Sequence, residues 1–189
     1  MKVDEPDMKK IPTELNGCCV LEPTIHGDDR GFFVESWNRE TFRSLGLDFD
    51  FVQDNHSRSS RGVLRGIHYQ IRRPQGKLVR VTQGSVFDVA VDIRKDSPTF
   101  GMWTGVELSA KNKRMFWVPP GFGHGFLVLS EHADFQYKCT EFYSPEDDRG
   151  IRWDDESLGI DWPIQPGSVP ILSEKDLGLP ELKNAELDS

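Results

Sequence analysis

No apolar run in this sequence approaches the length of a membrane-spanning helix. Stretches such as 125–129, Gly-Phe-Leu-Val-Leu, stop far short of the roughly 20 residues a span needs. The opening residues, Met-Lys-Val-Asp-Glu-Pro-Asp-Met-Lys-Lys, hold no apolar core, so a secretory signal is not expected there and a cytoplasmic, soluble protein is. Cysteine is too scarce for a disulfide framework: there are three, an odd count, and Cys18 and Cys19 are adjacent, a poor geometry for pairing with each other. Small buried thiols in a reducing compartment are the expectation for Cys18, Cys19 and Cys139, and no Cys–His–Asn signature surrounds any of them. Linkers, low-complexity tracts and internal repeats are absent too. With 189 residues, the chain is long enough for one domain with a full core, expected over residues 11–189 behind a flexible tail at 1–10.

A second absence is local. Residues 55–87 contain no Asp or Glu, yet hold Arg58, Arg61, Arg65, Arg72, Arg73, Lys77 and Arg80. This stretch carries +7 in a chain whose net charge is −8, so the remainder carries −15. An acidic protein is a poor partner for nucleic acid. A basic stretch inside it is either a solvated face or a site for an anionic small molecule. The interleaving of these charges with strand residues and two histidines favours the small molecule, since guanidinium offers a planar fork of donors suited to phosphate.

What is present is mostly strand. Residues 31–37, 63–71, 77–83, 85–93, 103–109, 114–118, 124–130 and 134–143 are rich in β-branched and aromatic side chains and are separated by Gly, Pro and Asp. One short helix is predicted over 38–46, capped by Asn38 and closed by Gly46. In 85–93, Phe87, Val89, Val91 and Ile93 share one face, and Val86, Asp88, Ala90 and Asp92 the other. Acids among small residues on that second face imply an interior that is partly polar. About eight short strands predict an all-β barrel or jelly roll, large enough to enclose a ligand.

Two motifs carry the chemistry. In Gly62-Val-Leu-Arg65-Gly66-Ile-His68-Tyr69-Gln70, His68 and Gln70 fall on one strand face; Pro119-Pro-Gly121-Phe-Gly-His124-Gly-Phe126 places a second histidine at the start of another strand. Together they resemble the two motifs of the cupin barrels, and the predicted fold is accordingly an all-β, cupin-type jelly-roll β-barrel with a few short peripheral helices. Metal-binding cupins take two His and a Glu from the first motif. Here Gln70 and Gln75 stand in for the second His and the Glu, so no metal and no cofactor are expected. His68 is a candidate base, because imidazole titrates near neutrality. With Lys77, Tyr137 and Asp176 it makes a set fitted to enolisation beside a carbonyl: base, cation, acid and orienting carboxylate.

The resemblance then becomes specific. Asp29-Arg-Gly-Phe-Phe-Val-Glu35, Phe51-Val-Gln-Asp-Asn55, Arg61 through Gln70, Gln75 through Arg80, Gly84 through Arg94, Pro119 through Phe126, Tyr137 through Tyr143 and Ile151 through Pro163 run in order along the chain. They resemble the dTDP-4-dehydrorhamnose 3,5-epimerase family, metal-free cupin enzymes of dTDP-L-rhamnose synthesis. That resemblance implies His68 as base, Asp176 as its dyad partner, Tyr137 as the acid on the opposite face and Lys77 as the cation at the C4 oxygen. It implies substrate-binding roles for Arg30, Phe33, Glu35, Gln53, Asn55, Arg65, His124, Tyr143, Asp148 and Lys175. Asp148 stands where a Glu is common. It further implies a homodimer whose subunits share site residues, with Arg30, Glu35 and their strand serving the neighbour. Nucleic acid and membrane are not expected partners. Two other activities stay open at this level: an epimerase acting at only one carbon, and a cupin that binds a nucleotide-sugar without turning it over.

Overall fold

The structure is a computed structural model, and it describes residues 7–187. Its strands are, in chain order, β1 (Met8–Pro12), β2 (Cys19–Pro23), β3 (Ile25–Asp28), β4 (Gly31–Val34), β5 (Gln53–Ser60), β6 (Leu64–Gln70) and β7 (Lys77–Gln83). There follow β8 (Ser85–Asp92), β9 (Trp103–Ser109), β10 (Met115–Val118), β11 (Phe122–Val128), β12 (His132–Cys139) and β13 (Asp148–Gly150). Two short helices, α1 (Arg39–Ser44) and α2 (Glu174–Leu177), and a 3-10 turn at Leu182–Asn184 complete the secondary structure.

The predicted jelly-roll barrel is not formed. The strands divide into three separate antiparallel sheets: β1-β2-β10-β7-β12-β5, β13-β6-β11-β8-β9 and the hairpin β3-β4. None closes on itself, and the mixed secondary structure includes the helices above. Alternation and turn residues specify strands and their faces. Closure needs hydrogen-bonded register between the two edge strands, and that is not written in periodicity. Of the tail predicted over 1–10, residues 1–6 lie outside the described residues, while Met8, Lys9 and Lys10 pair with Pro23, Glu22 and Leu21.

The two large sheets face each other across an apolar layer. Val79, Val81, Phe116 and Phe135 come from one sheet and Val86, Ala90, Phe126 and Val128 from the other. Both faces of β8 are therefore buried: Val89, Val91 and Ile93 point away from this layer, under the C-terminal segment that supplies Leu158 and Trp162. On the far side of the six-stranded sheet, Phe42 of α1 packs with Leu78, Met115 and Trp117. Asn38 caps α1 as predicted, its side-chain oxygen accepting from the backbone N–H of Glu40 at 2.9 Å and of Thr41 at 3.4 Å. Among the described residues no helix is long and apolar enough to cross a membrane.

Candidate active site

At one end of the space between the large sheets, polar side chains replace the apolar layer. Strand β6 supplies the first of them. Simple alternation would send Arg65 and His68, three residues apart, to opposite faces. The pairing of β6 with β11 shifts register between His68 and Arg65, and this irregularity turns both toward the six-stranded sheet. Arg65 reaches across to Ser59 Oγ on β5 at 3.1 and 3.2 Å. The sharp approach requires glycine: a Cβ on Gly66, where φ is +114°, would lie 2.5 Å from the Cα of Gly125.

His68 sits directly opposite His124 in the ladder. Its Nε2 lies 2.5 Å from Oδ1 of Asp176, a residue 108 positions later in the chain. Asp176 is 3% exposed and is held in place by α2, where its second oxygen accepts from Ser173 Oγ at 2.8 Å. Burial works to raise the Asp176 carboxyl pKa, but the hydrogen bond and charge of His68, with Ser173 and Lys175, hold it below the usual carboxylate value. The carboxylate thus stays ionised and can accept a hydrogen bond from Nε2 of His68, whose Nδ1 has no partner among the described residues.

The facing sheet contributes Tyr137 and Lys77. Tyr137 on β12 lies between Asn55 of β5 and Val79 of β7 and packs against the inter-sheet core. Burial, then the neighbouring Cys139, raises its phenol pKa, so it keeps its proton at neutral pH. Lys77 begins β7 two residues before inward-facing Val79. Burial lowers its ammonium pKa, with Cys139, Asp148 and Asp88 pulling the other way. Neither the phenol oxygen of Tyr137 nor the Lys77 amine has a hydrogen-bond partner among the described residues.

Around this group stands a polar rim. β13 pairs with β6 so that Asp148 opposes Gln70. Asp148 Oδ2 accepts from the Tyr143 hydroxyl at 2.9 Å and from Lys175 Nζ at 2.5 Å. Gln53 donates to Asn55 at 3.1 Å and accepts from the backbone N–H of Tyr143 at 2.9 Å. Gln70 donates to the carbonyls of Arg73 and Phe142, and Gln75 to that of Glu141, so both amides are engaged with backbone. The acid-free basic stretch finds its acids elsewhere in the chain: Arg58 pairs with Asp134, and Arg72 and Arg73 with Asp147. Arg65 and Lys77 face the inter-sheet space with no acidic ion-pair partner among the described residues, a charge pattern that suits an anionic ligand.

Three predicted site residues are not brought to this cleft. Arg30 lies on the β3-β4 hairpin, 90% exposed in its side chain and paired with Asp28. Phe33 on the same hairpin is 68% exposed. Glu35 accepts from Asn38 and from Thr41 Oγ1, bracing the start of α1. Asp88, conversely, was not among the predicted site residues and lies fully buried against His124. The signal for it was its place among small residues on the second face of β8.

Known proteins resemble this chain along most of its length. Residues 12–184 match the family described as dTDP-4-dehydrorhamnose 3,5-epimerase. The dTDP-4-dehydrorhamnose 3,5-epimerase of Pseudomonas aeruginosa is 59% identical over 170 residues, covering 89% of this chain and 93% of that one. The crystal structure of a dTDP-6-deoxy-D-glucose-3,5-epimerase from Legionella pneumophila, in complex with dTDP-4-keto-L-rhamnose, aligns with a TM-score of 0.90 at 53% identity, covering 94% of each chain. ChmJ, a 3'-monoepimerase from Streptomyces bikiniensis solved with dTDP-quinovose, aligns at 0.85 with 38% identity, covering 92% of this chain and 87% of its own.

Proposed function

The chain belongs to the dTDP-4-dehydrorhamnose 3,5-epimerase family, and from that premise we propose how its residues divide the work of the reaction. It is an isomerase acting on a dTDP-sugar: dTDP-4-dehydro-6-deoxy-D-glucose is inverted at C3 and C5 to give dTDP-4-dehydro-L-rhamnose. Both carbons flank the C4 ketone, so each proton can leave as the electron pair moves onto the carbonyl oxygen. His68 Nδ1 takes the proton. Lys77 meets the negative charge that develops on the C4 oxygen. Tyr137, with its proton retained, delivers it to the opposite face of the carbon, and the carbonyl re-forms. Asp176 orients His68 and stabilises the imidazolium formed in the first step.

The observation that supports this assignment is His68 on one sheet, paired with Asp176 of α2, together with an unpartnered phenol and amine supplied by the facing sheet. Gln53, Asn55, Arg65, His124, Tyr143, Asp148 and Lys175 hold sugar, diphosphate or nucleotide around that centre. The exposed hairpin with Arg30 and Phe33, followed by Glu35, serves the site of a second subunit in a homodimer, and residues 11–189 act as one functional domain in the cytoplasm. Incubation with the 4-keto sugar nucleotide, followed by proton NMR, tests the activity. Tight binding with no turnover would instead identify a binding protein.

The single-centre alternative has one observation in its favour, the alignment with the 3'-monoepimerase at 38% identity. The higher identity to 3,5-epimerases, 59% and 53%, supports inversion at both carbons.

A further inference from the structure

Two buried aspartates on β8 are held in contrasting ways. Asp92 is fully buried and collects five hydrogen bonds, from the backbone N–H, Nε and Nη2 of Arg94 and from the hydroxyls of Ser97 and Thr99. Asp88, four residues earlier on the same face, is equally buried, but its hydrogen-bond partner is a single ring nitrogen. Nε2 of His124 lies 2.9 Å from Oδ1 and 3.1 Å from Oδ2. Burial raises the Asp88 carboxyl pKa, while the charge and hydrogen bond of His124 and the charge of Lys77 act to lower it, and a group so deeply buried and so lightly hydrogen-bonded does little to stabilise a fold. Its placement needs another explanation.

His124 is 7% exposed, and its ring lies 6.1 Å from that of Phe135 at an interplanar angle of 28°. Asp88 on one side and Phe135 on another leave the imidazole little freedom to rotate. Nδ1 has no hydrogen-bond partner among the described residues, and among them no buried side-chain nitrogen or oxygen lacks one. Nδ1 therefore opens toward the cleft, on the strand directly opposite His68.

We propose that Asp88 is a positioning residue for the epimerisation, fixing the proton of His124 on Nε2 and the plane of its ring so that the Nδ1 lone pair accepts a hydrogen bond from a hydroxyl of the sugar. This rests on the cleft being the site of the nucleotide-sugar. Asp88 does not touch substrate; it acts through His124, in the way a carboxylate behind a histidine selects the tautomer. It is distinct from the His68–Asp176 pair, because His124 holds a hydroxyl and moves no proton from carbon.

The test is nitrogen-15 NMR of the full chain labelled at histidine, with His124→Gln identifying the His124 signals. In the wild-type protein near neutral pH, His124 is expected to carry its proton on Nε2, with Nδ1 bare. Asp88→Asn, whose amide can donate to the ring, should move the proton to Nδ1. It should also raise KM for the 4-keto sugar nucleotide about tenfold, as for one hydrogen bond lost, with kcat within about twofold. In the His124→Gln background, Asp88→Asn should change KM no further, a non-additivity that a general loosening of the fold would not produce. The proposal is overturned if wild-type His124 is protonated on Nδ1 alone, a result that needs no variant to fold. It is equally overturned if Asp88→Asn leaves both the tautomer and KM unchanged, or if the two substitutions add. An inactive wild-type protein with His124 protonated on Nε2 would contradict the epimerase assignment instead, since the tautomer is measured without turnover.

Discussion

At the scale of single residues, three side chains divide two proton transfers, one off the carbon and one back onto it, and each should fail in its own way. His68→Asn removes the base, so exchange of the C3 and C5 protons with solvent should fall by about a thousandfold or more. Tyr137→Phe keeps the ring's packing and removes the acid; proton abstraction should continue, so that exchange outlasts net epimerisation. Asp176→Asn leaves the imidazole in place without the carboxylate that orients it, and its rate should lie between those two. Parallel assays of solvent exchange and net conversion check all three, and near-normal exchange in His68→Asn would place the base elsewhere. The chemistry of these residues is legible in the sequence as types: a strand histidine, a lysine opening the next strand, a tyrosine in a late strand. Their convergence is not. Asp176 reaches His68 across 108 positions, and only the family resemblance links the two before the fold is seen. Asp88 was visible, with Asp92, as an acid on an otherwise small, apolar strand face. No local pattern tells whether such an acid meets an arginine, as Asp92 does, or a histidine of the site.

At the scale of elements, the C-terminal segment behaves as a strap that carries Asp176 and Lys175 to the cleft. Its anchor is Asp155, 4% exposed, whose oxygens accept from the backbone and hydroxyl of Ser157 and, at 2.5 Å, from the backbone N–H of Leu182. Asp155→Ala should cost about 2 kcal/mol of stability by leaving buried donors unmet. Because the strap holds the His68 partner, kcat should fall while KM for the nucleotide-sugar changes less. Urea unfolding with steady-state kinetics measures both, and full activity at reduced stability would show that the strap does not position Asp176. The β3-β4 hairpin makes a different prediction. Phe32 and Phe33 are 62% and 68% exposed, more than a lone subunit has reason to present side by side. Light scattering should give a mass near two 21.6 kDa chains, and Phe33→Ala should lower activity without unfolding the protein. A fully active monomer would contradict the shared site. Strand positions were largely legible, since β6 to β12 follow the predicted runs within a few residues. β1, β2, β3, β5 and β13 were not: β2 is a short run, and the polar strands β1, β3, β5 and β13 are made by pairing with neighbours and carry little apolar alternation of their own.

At the scale of the whole molecule, two open sheets with a polar cleft at one end of their shared core replace the expected barrel. Strand count and alternation are common to both architectures, which differ in whether the edge strands meet. Burial across this layered core sets the pH range of the fold. It pushes the Cys19 thiol up from 9.0 to about 11 and the Tyr69 phenol up from 10.0 to about 12. The folded state keeps these protons while the unfolded chain releases them at ordinary values. Their contribution to stability is therefore intact below about pH 9 and is lost as pH rises through 9 to 12, a fall of roughly 3 to 4 kcal/mol by pH 11. Asp92 and Asp176 act on the acid side: their pKa values are held low, so the stability they add is present above the usual carboxylate value and lost as pH falls through the lower folded value. Urea midpoints measured from pH 8 to 11 check the alkaline limb, and a flat profile would contradict it. The central claim, that this cleft inverts two carbons by proton transfer through His68, is tested most directly by running the reaction in deuterium oxide and locating the label by NMR. Deuterium at both C3 and C5 with the wild-type protein, and at neither with His68→Asn, is the predicted result; label at a single carbon, or undiminished label in His68→Asn, would contradict it.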